Sequence, residues 1–442
     1  MLNRDSNRPG LAVRAGRTED DPMRAMDRRK FLRLAAAAAA LPAGASLLEA
    51  CSPASPTSTA PRALPRPGAP VALPFRGSPI APGLASERGA TLRVYEWREY
   101  LAPRVVRSFE EKYARTGVKV ELTSFENRDV AAATVAAPGA NFDVFFPTVD
   151  QLAPLTAAGV LRPLTHDYLP NLENVWPAFA PPAGPYFDPG VRYSVPYTVY
   201  STGIGWRRDL VRTQDAPPEL DDPCDVFANP RYRGRAGVLD AYREPLAMIM
   251  QMQGVRDLNG ADPAALTRAA DELIGFARGN GLRITDDGDY QGLATGGFAV
   301  HQAWSGDILA ARRFGGADPA ATDQRLSYWW KQDGGVVGCD LLAVTATGRN
   351  PVLAHLFLNH LLDLDVAMRN FAWNGYQPPL ISASTEAFAS DRWGRAVPAH
   401  LLDTTIVTPE RYAVGASLAP LSPAADSAWI AEWRRVQSAV SA

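Results

Sequence analysis

The sequence predicts an α/β fold of two lobes joined by a hinge, with a cleft between the lobes. Three observations predict it. From residue 91 onward, strand-like and helix-like segments alternate, the pattern of a mostly parallel sheet with helices on both faces. One long strand-like run, RYSVPYTVYSTGIGWRRDL, leads from the first set of segments into a second. A later strand, DLLAVTA, brings the chain back, so more than one crossover joins the lobes.

Ahead of this body, residues 1–50 read as an export signal. DRRKFLR, with adjacent Arg28 and Arg29, resembles a twin-arginine signal, and a short Ala-rich apolar stretch follows it. Leu48 and Ala50 precede Cys51 as in a lipoprotein box, which makes Cys51 a candidate for lipidation; Glu49 departs from that box. The alternative is an ordinary exported chain cleaved at A-x-A-like residues. Residues 51–90 are rich in Pro, Ser and Ala, a composition expected to give a disordered tether. No second apolar run is long enough to span a bilayer.

The body is then read in order. TLRVYEW is a strand, and PRVVRSFEEKYART a helix with Val106, Phe109 and Tyr113 on one stripe. VKVELTSF is a second strand, FDVFFPT a short strand apolar on both faces, and DQLAPLTAAGVL a helix. The first lobe is expected at 91–206 together with 339–442, and the second at 207–338. The second holds RAGVLDAYREPLAMIMQMQG, ALTRAADELIGFARGNG, FAVHQAWSGDILAARRFG and QRLSYWW. The C-terminal SAWIAEWRRVQSAV is a final helix.

Composition bounds the function. The 442 residues are 46% hydrophobic and 21% charged with a net charge of −2, so there is no basic footprint for nucleic acid. The signal carries nine Lys/Arg and six Asp/Glu, so its loss leaves a mildly acidic body. Five scattered histidines lack metal-ligand spacing, and no metal or cofactor is expected. G-x-S-x-G, H-E-x-x-H and Walker A motifs are absent, so an enzyme is not expected. Cys224 and Cys339 could pair after export, or remain two lone buried thiols.

YEWREY, VFFPT, YSVPYTVYSTGIGW, VFANPRYRGRAGVLDAYREPLAMIM, HQAWSGDILAA, GGVVGCDLLAV and NGYQPP occur in that order. Together they resemble the spermidine/putrescine-binding periplasmic proteins of ABC importers, over about residues 91–435. The resemblance implies the type II periplasmic-binding-protein fold, a polyamine ligand in the cleft, a membrane permease as partner and a monomeric binder at the periplasmic or cell-surface side. A polyamine needs carboxylates for its ammonium groups and aromatic faces for its methylenes, each cation–ring contact contributing about 0.5–2 kcal/mol. On that chemistry the candidate ligand residues are Trp97, Glu99, Tyr100, Thr148, Asp150, Glu244, Tyr290, Trp304 and Asp307. Arg98 and Arg369 stand where they could oppose a cation, with Glu99 a partner that Arg98 could neutralise, and position 338 is Gly where the family carries a ring. These departures leave another small ligand open, such as an amino acid derivative. An iron binder of related shape would commonly use adjacent tyrosines, and no Tyr-Tyr pair occurs.

The signal reading is checked by fractionation. Lysines at Arg28 and Arg29 should block export, and Cys51→Ser should move the protein from the membrane to the soluble fraction. A Cys51→Ser protein that fractionates like wild type refutes the anchor.

Overall fold

Among the described residues ten strands form one sheet, eight of them on one path in the order β2 (Lys119–Phe125), β1 (Thr91–Trp97), β3 (Val144–Phe145), β9 (Val336–Val344), β4 (Ser194–Arg207), β7 (Val300–Trp304), β5 (Ala236–Leu239) and β6 (Arg283–Thr285), with β10 (Ala416–Ser417) beside β9 and β8 (Leu326–Trp329) beside β4. The structure is a computed structural model that describes residues 64–441, positions 287 and 317 excepted. The expected signal and Cys51 lie outside the described residues. The opening unit runs β1 (Thr91–Trp97), α1 (Pro103–Lys112), β2 (Lys119–Phe125), α2 (Arg128–Ala136), β3 (Val144–Phe145) and α3 (Val149–Ala157). Then come β4 (Ser194–Arg207), β5 (Ala236–Leu239), α4 (Arg243–Met252), α5 (Pro263–Asn280), β6 (Arg283–Thr285), β7 (Val300–Trp304), α6 (Ser305–Ala310) and β8 (Leu326–Trp329). The return comprises β9 (Val336–Val344), α7 (Pro351–Leu361), α8 (Leu364–Asn374), β10 (Ala416–Ser417) and α9 (Pro423–Ser441).

Local chemistry explains the opening unit. β1 pairs in parallel with β2 and β3, and its Leu92 and Val94 are fully buried. β2 is an edge strand, and exposed Lys119 and Glu121 blunt it. α1 starts on Pro103, whose missing N–H costs nothing at that position, and buries Val105, Val106 and Phe109. Thr148 and Gln151 close a capping box on α3.

β4 is the hinge element. Residues Ser194–Ser201 pair antiparallel with β9, whereas Thr202–Trp206 pair with β7. Of its fourteen residues all are buried except Tyr200, which is half-buried. The expected boundaries at 206/207 and 338/339 therefore fall inside the strands β4 and β9 rather than between segments.

Two further expectations are corrected. The Pro-rich tether was expected to stay free through residue 90, but its described part docks on the body. Leu73 is buried, the Arg76 N–H donates to the Tyr193 hydroxyl (2.6 Å), and the Leu84 N–H donates to the Tyr168 hydroxyl (2.7 Å). Glu87 accepts from the amides of Val352 and Leu353 at 3.0 and 2.9 Å. Those amides begin α7 and have no partner inside their own helix, so an outside carboxylate caps them. The strap thus gains from neighbours what its own composition cannot supply.

The second correction concerns α9, expected in the first lobe. Its Trp429, Trp433 and Val436 belong to the second core, with Leu246, Leu266 and Leu273. The Trp429 indole donates to the Gly260 carbonyl at 2.8 Å, and the Arg243 guanidinium lies 4.8 Å from its ring. Periodicity marks the apolar stripe of a helix but not the surface that receives it. Trp429→Ala should destabilise the protein by about 3–5 kcal/mol, the usual cost of a vacated aromatic site. Chemical denaturation should show the loss; a midpoint like that of wild type would refute the placement.

Candidate functional site

The loop after β1 is pinned from α8. Glu99 adopts φ 59°, uncommon for a residue with a side chain. Its carbonyl accepts from the Trp373 indole at 3.1 Å, and the Tyr100 carbonyl accepts from the amides of Asn370 and Asn374, each at 2.9 Å. This holds Tyr100 inward. The Tyr100 hydroxyl donates to the carboxylate of Asp340 on β9, and the Thr198 hydroxyl lies 3.3 Å from the same carboxylate.

Rings collect around these groups. Tyr376 lies 5.0 Å from Tyr100 and 5.8 Å from Tyr200, and Tyr200 lies 6.3 Å from Trp304 (centroid distances). The Tyr376 hydroxyl donates to Asp307 on α6 at 2.9 Å. Two glycines make room. A Cβ on Gly338 would stand 2.3 Å from the Tyr200 ring, and one on Gly306 would stand 2.5 Å from the Tyr376 ring. Gly338 is thus where a ring is missing in sequence, and the Tyr200 ring occupies the space beside it.

Buried acids face these rings. Asp340 and Asp289 are 5% and 0% exposed. Burial pushes Asp340 up to about 7; its bonds from Tyr100 and Thr198 oppose this, while the charges of Asp150 and Asp307 add to it. Asp289 is pushed well above the usual carboxylate range by burial and by neighbouring Asp307, and Asp307 is itself raised by burial. Among the described residues no side chain but the Asp307 carboxyl reaches the Asp289 carboxyl. Two carboxyls that raise each other in this way titrate as a pair, and a cation between them would relieve the repulsion. Burial also raises Glu244. The indole N–H groups of Trp97 and Trp304 are buried without an acceptor among the described residues.

The expected residues fall into three groups. Tyr100, Trp304 and Asp307 come together with the rings and acids just described. Asp150 forms an ion pair with Arg128 at 2.7 Å, and the Arg128 charge lowers the burial-raised Glu244 carboxyl. Thr148 caps α3 and bridges Asp340 through its backbone. The remaining three make other contacts. Trp97 packs on Phe125 at 4.6 Å, Tyr290 packs on Phe314 at 5.3 Å beside Asp289, and Glu99 pairs with Arg313 at 2.8 Å. Neither suspected arginine stands among the acids. Arg98 pairs with Glu126 rather than Glu99, and Arg369 is exposed on α8. Cys224 and Cys339 are free and buried.

Sequence reasoning missed Asp340, Tyr376, Tyr200 and Arg128. A signal existed for the first: an acid inside the otherwise apolar run VVGCDLLAV. Tyr200 had a weaker one, as the third tyrosine of the crossover strand.

Comparison with known proteins places the chain. A family described as bacterial extracellular solute-binding protein matches residues 104–396. The putrescine-binding periplasmic protein PotF of Escherichia coli (strain K12) is 30% identical over 289 residues, 64% of this chain and 76% of that protein. The spermidine/putrescine-binding periplasmic protein 1 of Haemophilus influenzae is 26% identical over 295 residues, 66% of this chain and 76% of that one. Among solved structures, the spermidine/putrescine ABC transporter substrate-binding protein PotD of Streptococcus pneumoniae superposes with a TM-score of 0.62 at 19% identity, covering 79% of this chain and 99% of that one. The TpPotD lipoprotein of Treponema pallidum gives the same TM-score and identity over 78% of this chain and 99% of its own. These likenesses establish the two-lobe periplasmic-binding-protein fold.

The buried acids set a pH dependence. Asp340 rises from 3.8 to about 7 on folding, and buried Glu96 from 4.5 to about 8. Between those values the folded state binds more protons than the unfolded one, so stability falls as pH rises. Thermal melts without ligand should give a lower Tm at pH 8 than at pH 5, and Asp340→Asn should flatten the slope. An equal slope in both proteins refutes the assignment.

Proposed function

Because the chain belongs to the bacterial extracellular solute-binding proteins, we propose that it captures a polyamine, putrescine or spermidine, in its interlobe cleft and delivers it to the permease of an ABC importer. One observation carries this reading: carboxyls that burial raises, Asp340, Asp307 and Asp289, stand among the rings of Tyr100, Tyr200, Trp304 and Tyr376. Such a site is incomplete without cations. An arriving ammonium supplies the charge that the acids lack. Ring faces attract the cation and cover the methylenes between charges. Trp97 would add a wall from β1 and Tyr290 a ring beside Asp289. An anionic ligand fits poorly, because Arg128 and Arg313 already hold Asp150 and Glu99.

Capture requires closure, since the contacts come from both lobes. A ligand that touches both favours the closed form by its differential affinity. The relatives are named as periplasmic proteins, and one structural neighbour as a lipoprotein. These names support a body that works outside the cytoplasm; twin-arginine export, a lipid anchor at Cys51 and a monomeric state are part of the same proposal and rest on the sequence.

Calorimetry of the purified protein against putrescine, spermidine and a panel of amino acids tests the ligand. Asp307→Asn should weaken polyamine binding by about 2–5 kcal/mol, as when a desolvated charge loses its partner. Arg98→Ser should change it by less than about twofold, since Arg98 faces Glu126. Heat from a carboxylate ligand and none from either amine would overturn the reading.

A further inference from the structure

One charged side chain reaches the site from the first lobe and already behaves as a ligand would. Arg128 opens α2. Its Nη1 lies 2.7 Å from Asp150 Oδ2, and both side chains are about one-fifth exposed (21% and 20%). Its guanidinium lies 5.0 Å from the centroid of the Tyr242 ring, across the hinge in the second lobe. Its charge is the strongest of those that lower the burial-raised carboxyl of Glu244. Two acids and a ring are the set that an ammonium group seeks. Here an internal cation fills it.

The arrangement is anchored. The Gln151 amide donates to the Arg128 carbonyl at 2.6 Å, and the Tyr242 hydroxyl donates to Asp426 on α9. The neighbouring Arg243 is committed elsewhere, to the Trp429 ring and the Leu258 and Ala419 carbonyls. The set is electrically continuous with the main acids: Asp150 acts on Asp340, and Asp150 and Glu244 both act on Tyr200.

We propose that Arg128 determines the length of amine the cleft accepts. The inference rests on the polyamine reading. The guanidinium occupies a further cation subsite built by Asp150, Glu244 and Tyr242. A diamine is served by the acids around Asp340 and Asp307 and leaves that subsite alone. A longer triamine must bring another ammonium against Arg128, and like charges in a desolvated cleft repel. The residue is a filter by charge and by occupied space.

Titration of wild type, Arg128→Ala and Arg128→Lys with putrescine and spermidine tests this. Removing the guanidinium leaves Asp150 and Glu244 without their cation, so Arg128→Ala should bind spermidine about tenfold or more tightly than wild type. Its putrescine affinity should change far less than its spermidine affinity. Arg128→Lys keeps the charge and should keep most of the discrimination. Arg128→Met, which retains the apolar stem, serves if the alanine variant does not fold. A spermidine-to-putrescine ratio unchanged in Arg128→Ala, or a parallel loss of both affinities, overturns the role of Arg128 while the polyamine reading stands. Silence of wild type and all variants toward both amines overturns the polyamine reading, and this inference with it.

Discussion

Several carboxyl groups kept out of water and close to one another are the constraint on which the rest of the structure depends. Asp340, Asp307, Asp289 and Glu244 are all raised by burial, and some oppose each other directly. Folding alone gains nothing from this. Like charges without counter-charges in a low-dielectric interior are unfavourable, and protonation relieves the strain only in part. The surrounding architecture exists to hold them there regardless. Tyr100 and Tyr376 supply hydroxyl donors, α8 fixes the loop that carries Tyr100, and glycines at 306 and 338 let rings close over the acids.

The arginines show how the same constraint is met in two ways. At Asp150 and Glu99 the chain provides its own cations, Arg128 and Arg313. Each guanidinium also lies near a ring, Tyr242 for the first and Trp373 for the second, at 5.0 and 4.5 Å. At Asp340 and Asp289 it provides none. The contrast between satisfied and unsatisfied acids defines the ligand-sized part of the cleft more sharply than the rings do, because rings also pack in ordinary cores.

Much of the fold was legible in the sequence. Strand–helix alternation gave the architecture, and the long run through YSVPYTVYSTGIGW gave the hinge strand with nearly its observed bounds. What periodicity could not convey was partnership. The stripe of α9 was readable, but its docking on the second core was not. The strap before β1 looked unable to fold because its bonds come from Tyr168, Tyr193 and the start of α7, far along the chain. The site was legible at WSGD and at Tyr100, where rings and acids neighbour one another in sequence. Asp340 and Tyr376 meet them only through β9 and the turn after α8, so the three-dimensional pairing had no local trace. Arg98 drew attention by position alone, whereas Arg128, the unremarked first residue of α2, reaches Asp150.

The partner switch in β4 has a mechanical consequence. Between Ser201 and Thr202 the strand exchanges β9 for β7, and Thr202 lies opposite Trp304. A backbone bonded on both sides of that point cannot fold like a loop; it can only change its twist. The two halves of the molecule then turn about a torsion bar, and Trp304 sits at its fulcrum. Displacement is least at the pivot and grows along the lever arms, so the indole and its neighbouring carboxyls keep their mutual geometry while the mouth opens. Closure then brings together the contacts that lie farthest from the pivot, while those beside Trp304 move least.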